Sequence, residues 1–255
     1  MRHMHSPPPS QQRGVALFIV IIFVMLSMLL ALWASRTAWF NEMIVGNDAD
    51  YQRAFEAAQA LLQDAELDIR REQANGSACV SNSSDPKLCR KDPDKNVNTF
   101  PTEDQDIGIL LAQLDTEGGA MKCRHALCVK RTAEQDFWNN SNKDKGVTLA
   151  QMQGMVDEKT PAGARYGQYT GAAIGDASNP ILAERDPGRG GWYWIEVLPY
   201  VNDAGNSTLI LGTTNLYEPS LRPNVAYRIT AVAHGLKPNT LAVLQQTYVR
   251  PRGKN

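Results

Sequence analysis

Gln11-Gln12-Arg13-Gly14-Val15-Ala16-Leu17-Phe18-Ile19-Val20 opens an apolar run that reaches Trp33 and closes at Arg36, with Ser27 the one hydroxyl inside it. About 20 residues without a charge are enough to cross a bilayer as a helix, the form in which every backbone N–H and C=O is satisfied within the segment. Arg2 and Arg13 lie before the run, whereas Glu42, Asp48 and Asp50 soon follow Arg36. That bias puts the N-terminus in the cytoplasm and the remainder outside it. Met1 to Gln12 is polar and carries Pro7, Pro8 and Pro9, so it reads as a disordered targeting leader and is set aside from the fold.

On the C-terminal side of the run no proline occurs between Val15 and Asp85. Phe55, Ala58, Leu62, Ala65 and Ile69 recur at spacings of three and four, the stripe of an amphipathic helix. Gln52, Arg53, Glu56, Gln59, Gln63, Asp64, Glu66, Arg70 and Arg71 supply a wet face. The economical reading is one long helix: residues 15–35 in lipid, and an amphipathic continuation over 36–72 that lays its stripe on a soluble domain. Gly46-Asn47-Asp48 is the weak point, because glycine costs up to about 1 kcal/mol inside a helix. A bend there is expected, rather than a break and restart with Asn47 or Asp48 as N-cap.

Three readings compete for the apolar run. A secretory signal peptide fits poorly, since the run is long for an h-region and no small-x-small site follows it. A permanent single-pass anchor is the plain alternative. The third is a type IV pilin leader, in which a short polar segment is cut after its terminal glycine and the apolar helix stays on the mature chain; Arg13-Gly14 followed by Val15 has that form. Beyond it stand Arg36-Thr37-Ala38-Trp39-Phe40-Asn41-Glu42-Met43-Ile44-Val45-Gly46-Asn47, then Asp50, Arg53-Ala54-Phe55-Glu56-Ala57-Ala58 and Ala60-Leu61-Leu62-Gln63-Asp64-Ala65-Glu66. These resemble the N-terminal region of the PilX family of type IV pilus minor pilins, with its Arg-Gly leader, Glu-Met-x-x-Gly-Asn element and Ala-Phe-x-Ala-Ala element; Gln59 stands where glutamate is common in that family.

The resemblance implies cleavage between Gly14 and Val15 by a prepilin peptidase, with methylation of the new N-terminus. Ile19 then becomes the fifth mature residue, where major pilins carry the glutamate that neutralises a neighbouring subunit's buried N-terminal amine. An unpaired charge in lipid is costly, so a chain with Ile19 at that position suits the top of a filament, where no subunit above presents an amine to it. The alternative is that Ile19 continues a lipid-facing helix.

Residues 73–190 read as a loop-rich region with a short helix and two cysteine loops. Thr102 with Gln105 suggests a capping box, Ile107, Leu110, Leu111 and Leu114 have helical spacing, and Gly118-Gly119 stops the helix. Outside the cytoplasm disulfides persist, and local pairing, Cys79 with Cys89 and Cys123 with Cys128, is the simplest of three connectivities. A four-cysteine zinc site is the alternative, although the spacings suit it poorly. Cys123-Arg124-His125-Ala126-Leu127-Cys128 also resembles a cysteine-bounded turn of PilX-like proteins. Asp92, Asp94, Asn96, Asn98 and Glu103 fall at EF-hand-like positions, but Val97 replaces the required glycine and Pro101 intrudes, so a hydrophilic loop is preferred. Val147 to Glu158 has the pattern of a short helix, and Ala164 to Ala172 reads as loop or extended chain.

Residues 191–250 are strand-like. Gly191 to Leu198 is aromatic and alternating, Thr208 to Leu211 is a weaker candidate, and Val225 to His234 alternates cleanly, with Tyr227, Ile229 and Ala231 opposite Arg228 and Thr230. A turn over Gly235 to Asn239 leads to a partner strand, Leu241 to Val249. Trp192 and Trp194 share a face as packing residues. The fold expected is α+β and type IV pilin-like: a long N-terminal transmembrane and amphipathic helix packed on a C-terminal antiparallel β-sheet, its stripe covering the apolar sheet face. This last stretch also resembles the PilX family's C-terminal end.

The formal net charge of −1 gives no reason to expect nucleic-acid binding. No nucleophile–base spacing, phosphate loop or metal triad appears, so no enzyme, cofactor or metal is expected. His125 sits in a cysteine loop and His234 ends a strand. The function expected is a minor pilin that primes pilus assembly at the filament tip. The resemblance implies other minor pilins, the major pilin and a large tip adhesin as partners in cell adhesion. It also implies residence in the inner membrane, domain in the periplasm, before incorporation into the pilus. Gln73 to Pro161 is the surface expected to meet such partners. A tip pseudopilin of type II secretion and an unprocessed anchored periplasmic binding domain are the alternatives.

Overall fold

In a computed structural model of the 255-residue chain, residues 13–79, 88–90, 99–154, 162–175, 178–199 and 223–250 are described. Two compact units divide it, Met1–Ala49 and Asp50–Asn255. The helix α1, Arg13–Arg70, contributes to both. In the first unit α1 is helical from Arg13 onward, and the side chains from Val15 to Trp33 are exposed. The run is long and apolar enough to cross a membrane. Residues 46–48 are helical, so α1 does not break and restart at Gly46.

The second unit is a sheet with a layer on each face. Its strands are β1 (Cys123–Arg124), β2 (Leu127–Cys128), β3 (Gly191–Pro199), β4 (Val225–His234) and β5 (Leu241–Tyr248), in the order β1-β2-β3-β4-β5. All pairings are antiparallel except β2 with β3, which run parallel with Leu127 opposite Ile195. The register places Ile195 across from Ile229, and Ile229 across from Gln246. Alternation then sends Tyr193, Ile195, Val197, Tyr227, Ile229, Ala231 and Ala233 to one face. They join Ala54, Ala57, Ala58, Leu61, Leu62, Ala65 and Ile69 of α1 in the main core. Gly191 lets β3 approach α1 closely: a Cβ there would lie 2.6 Å from the Leu61 side chain.

The opposite face is covered too, where the sequence pattern leads one to expect a single apolar face. Trp192, Trp194 and Val232 pack with Met121, Cys123, Cys128, Phe137, Val147, Met152 and Ala162 in a second cluster. Phe137 meets the Trp194 ring edge-on at 4.9 Å. Gly163 sits under Trp194, where an added Cβ would come within 2.7 Å of the indole.

Several local expectations shift. The buried seam of α1 is centred on Ala54, Ala57, Leu61 and Ala65, while Phe55 is only half-buried. Asp64, assigned above to the wet face, is buried. α1 ends at Arg70 rather than residue 72, because Arg71 turns to φ 59° and the Glu72 N–H returns to the Leu67 carbonyl. The helix α2, Asp104–Glu117, stops at Gly118-Gly119 and buries Ile107, Leu110 and Leu114. Its N-terminus is organised by Asp106, not Gln105: that carboxylate accepts the Thr102 hydroxyl and the Thr102 and Glu103 N–H groups. Of the helix expected over Val147 to Glu158, one turn is seen, α3 (Leu149–Met152), capped by Thr148; residues 155–158 lie outside the described residues. So do the strand candidate Thr208 to Leu211 and the EF-hand-like positions Asp92, Asp94, Asn96 and Asn98. A further single turn, α4 (Pro180–Ala183), buries Ile181 and Leu182.

Candidate functional site

Gly14 and Val15 both lie within helical backbone, in the first turn of α1, and Val15 is exposed. Ile19 follows one turn later and is also exposed. Val15 and Ile19 thus present uncharged, exposed side chains on successive turns of α1.

In the second unit α1 carries three buried carboxylates, Asp50, Asp64 and Asp68, each used differently. Offsets of 14 and 18 residues return to nearly the same helical angle, so all three point at the domain with the apolar seam. Asp50 accepts the Leu236 N–H at 2.9 Å and the Lys237 N–H at 3.0 Å, fastening the β4–β5 turn to α1. Burial raises its pKa, but the bonds from Lys237, Thr240 and Leu236 outweigh that and leave it below the ordinary value. Gly235 is required beside it, since a Cβ there would collide with the Asp50 carboxylate and Thr240.

Asp64 accepts the Thr170 hydroxyl and, at 2.8 Å, the Gly167 N–H. Here burial outweighs those bonds, and the carboxyl is raised to about 6. Asp68 lies one turn on. Arg90 Nε donates to both its oxygens at 2.8 Å, and the Tyr193 hydroxyl donates to Oδ2 at 3.2 Å. Both side chains of the pair are 2 % exposed. The Arg90 guanidinium also lies 3.6 Å from the centre of the Tyr169 ring and 5.2 Å from that of Phe100. Burial works against both charges: at Arg90 the Asp68 carboxylate outweighs it and raises the guanidinium's pKa, while at Asp68 burial outweighs Arg90 and Tyr193 and raises the carboxyl's.

The cysteines are paired locally, Cys79 with Cys89 and Cys123 with Cys128. No cysteine is free, which leaves no thiolate for a zinc site. The second disulfide closes the β1–β2 hairpin, whose two turn residues, His125 and Ala126, have φ 52° and 65°; two left-handed central residues match the strand twist of a tight hairpin. The first joins the segment after α1 to the residue preceding Arg90. It brings the cysteine loop expected from sequence together with an ion pair that was not.

Asp68 and Arg90 were not singled out by sequence reasoning, and Asp50 entered it only as part of the family-like element and of the charge bias, not as a buried acid. One signal was available for the acids: they fall on the apolar seam rather than opposite it. Nothing local marks Arg90. His234 ends β4 and pairs with the Gln153 side chain at 3.0 Å; burial lowers its pKa, with Arg165 and Arg189 adding to the effect. Glu196 pairs with Arg228 across β3 and β4. Among the described residues no group of three His, Cys, Asp or Glu side chains could hold a metal ion.

A family model described as "Type IV pilus assembly protein PilX C-term" matches residues 85–250. No curated protein and no solved structure matches the chain. The matched span covers α2 and the whole sheet and begins after α1, so the leader and the Glu-Met-x-x-Gly-Asn element lie outside it.

Proposed function

Because the chain belongs to the PilX family of type IV pilus assembly proteins, we propose that it is a minor pilin, cut between Gly14 and Val15 by a prepilin peptidase, that primes filament assembly from the tip. The observation carrying the tip placement is Ile19. On cleavage it becomes the fifth residue of an exposed apolar helix, where a subunit inside the filament needs a carboxylate. Before assembly residues 15–35 span the inner membrane, with residues 1–14 cytoplasmic and the second unit periplasmic. Residues 36–72, 73–190 and 191–250 then serve as amphipathic continuation, loop-rich layer and sheet.

Partners are the major pilin, other minor pilins and a large tip adhesin. The region from Gln73 to Pro161 is the surface proposed for the adhesin. Among its described residues the large apolar side chain most open to solvent is Ile109, 68 % exposed on the outer face of α2. The family's role is structural, and no reaction is assigned to the chain.

Intact mass and N-terminal sequencing of protein extracted from membranes, with and without a functional prepilin peptidase, test the processing. The expected product begins at Val15 in the competent strain only; a chain that keeps residues 1–14 in both strains overturns the pilin reading. Quantitative immunoblotting of sheared filaments tests the placement. A few copies per filament support the tip, whereas copies in proportion to filament length refute it.

A further inference from the structure

We propose that the Cys79–Cys89 disulfide is a redox-controlled clamp: once oxidised, it holds Arg90 in place as the counter-ion of Asp68 and so seats the last turns of α1 on the sheet. Four observations converge on this. First, Cys89 and Arg90 are adjacent, and the segment is tied at both ends, by the Cys79 N–H to the Arg71 carbonyl at 2.8 Å and by the Cys89 N–H to the Tyr169 carbonyl at 2.9 Å. Second, Cys89 and Arg90 have φ 68° and 33°, a left-handed conformation that non-glycine residues avoid unless surrounding structure enforces it. Arg90 thus reaches Asp68 on backbone that relaxes when the restraint is released.

Third, Asp68 and Asp64 stand one helical turn apart, both buried, so a departing Arg90 leaves two acids side by side in the core without the cation that pairs with Asp68. Fourth, the two disulfides differ in access. Cys79 and Cys89 are half-buried, whereas Cys123 and Cys128 are 4 % and 2 % exposed. The pair that positions Arg90 is therefore the pair an external thiol–disulfide partner can reach.

The chemistry is an exchange. One cysteine thiolate attacks the disulfide of an oxidising protein, giving a mixed disulfide; the other thiolate displaces the partner's sulfur. Cys79 and Cys89 together lose two protons and two electrons as their S–S bond forms, and the partner's disulfide becomes a dithiol. A chain arriving reduced in an oxidising compartment thereby gains a firmly seated α1 only after this step. The clamp stands whether or not the chain caps a filament.

Backbone hydrogen exchange on the full-length chain in detergent micelles tests the clamp. In a Cys79→Ser/Cys89→Ser variant, amides of residues 61–70 exchange at least about tenfold faster than in the oxidised wild type, while those of β3 to β5 change by less than about twofold. Adding Asp68→Asn, which removes the charge needing Arg90, restores slow exchange at 61–70. A Cys123→Ser/Cys128→Ser control leaves 61–70 unaffected. Unchanged exchange at 61–70, equal acceleration throughout the sheet, or no rescue by Asp68→Asn each overturn the proposal. If the serine variant does not fold, wild type titrated with reductant until only Cys79–Cys89 opens is read in the same way, with the same outcomes deciding.

Discussion

Replacing Asp50 with alanine should loosen the β4–β5 turn from α1 and lower the stability of the second unit. Its carboxylate accepts two backbone N–H groups at 2.9 and 3.0 Å, and bonds to a charged group are each worth about 1.5–3 kcal/mol net. Leu236 and Lys237 are exposed, so their freed N–H groups can turn to water, which reduces the penalty. A total loss of about 2–3 kcal/mol follows for Asp50→Ala, and about 1 kcal/mol for Asp50→Asn, which keeps one acceptor oxygen. For a unit of this size that is a fall in Tm of roughly 5–10 °C for the alanine variant. The assay is thermal unfolding of the full-length chain in micelles, followed by near-ultraviolet circular dichroism. The pH dependence adds a second check. A carboxyl whose folded pKa lies below its unfolded value contributes stability above the unfolded value and loses it as pH falls through the folded one. The gap between wild type and Asp50→Ala should therefore narrow from pH 6 to pH 3. An alanine variant melting within about 1 °C of wild type at pH 6, or a gap that widens in acid, would refute the role given to Asp50.

Three further outcomes are expected. Asp64→Asn should stabilise the chain near pH 7.5 and change little near pH 4. The Asp64 carboxyl, raised to about 6, contributes stability below its unfolded value and loses it as pH rises through 6; denaturant titrations at the two pH values should differ by up to about 3 kcal/mol in wild type and by less in the variant. Gly163→Ala should cost about 1–3 kcal/mol by forcing Trp194 aside, visible as a lower denaturation midpoint with altered tryptophan fluorescence. Leu61→Ala, at a fully buried seam position facing β3, should cost about 2–5 kcal/mol in the same titration, whereas Gln63→Ala on the exposed face should fall within about 0.5 kcal/mol of wild type.

Much of the architecture was legible in the residues because it rests on short-range pattern. A charge-free run of bilayer length, a stripe at spacings of three and four and strict alternation over Val225 to His234 each reflect the period of a backbone element. They located α1, β3, β4 and β5 and put the stripe against the sheet. The stop at Gly118-Gly119 is equally local. What they left open depends on which segments meet. Asp64 looked like surface because a carboxylate at the edge of a stripe has no sign of its own; only the Gly167 and Thr170 donors, more than a hundred residues on, make its burial tolerable. The second layer on the sheet was missed because Met121, Phe137, Val147 and Met152 are scattered apolar residues without periodicity, gathered by the two tryptophans of β3. Arg90 is the clearest case. It lies in a polar loop, and what makes it the counter-ion of a helix 22 positions earlier is the disulfide that fixes its neighbour. Local order follows from backbone period and can be read along the chain. Pairing of buried charges follows from desolvation in a particular interior, which exists only once the chain has folded.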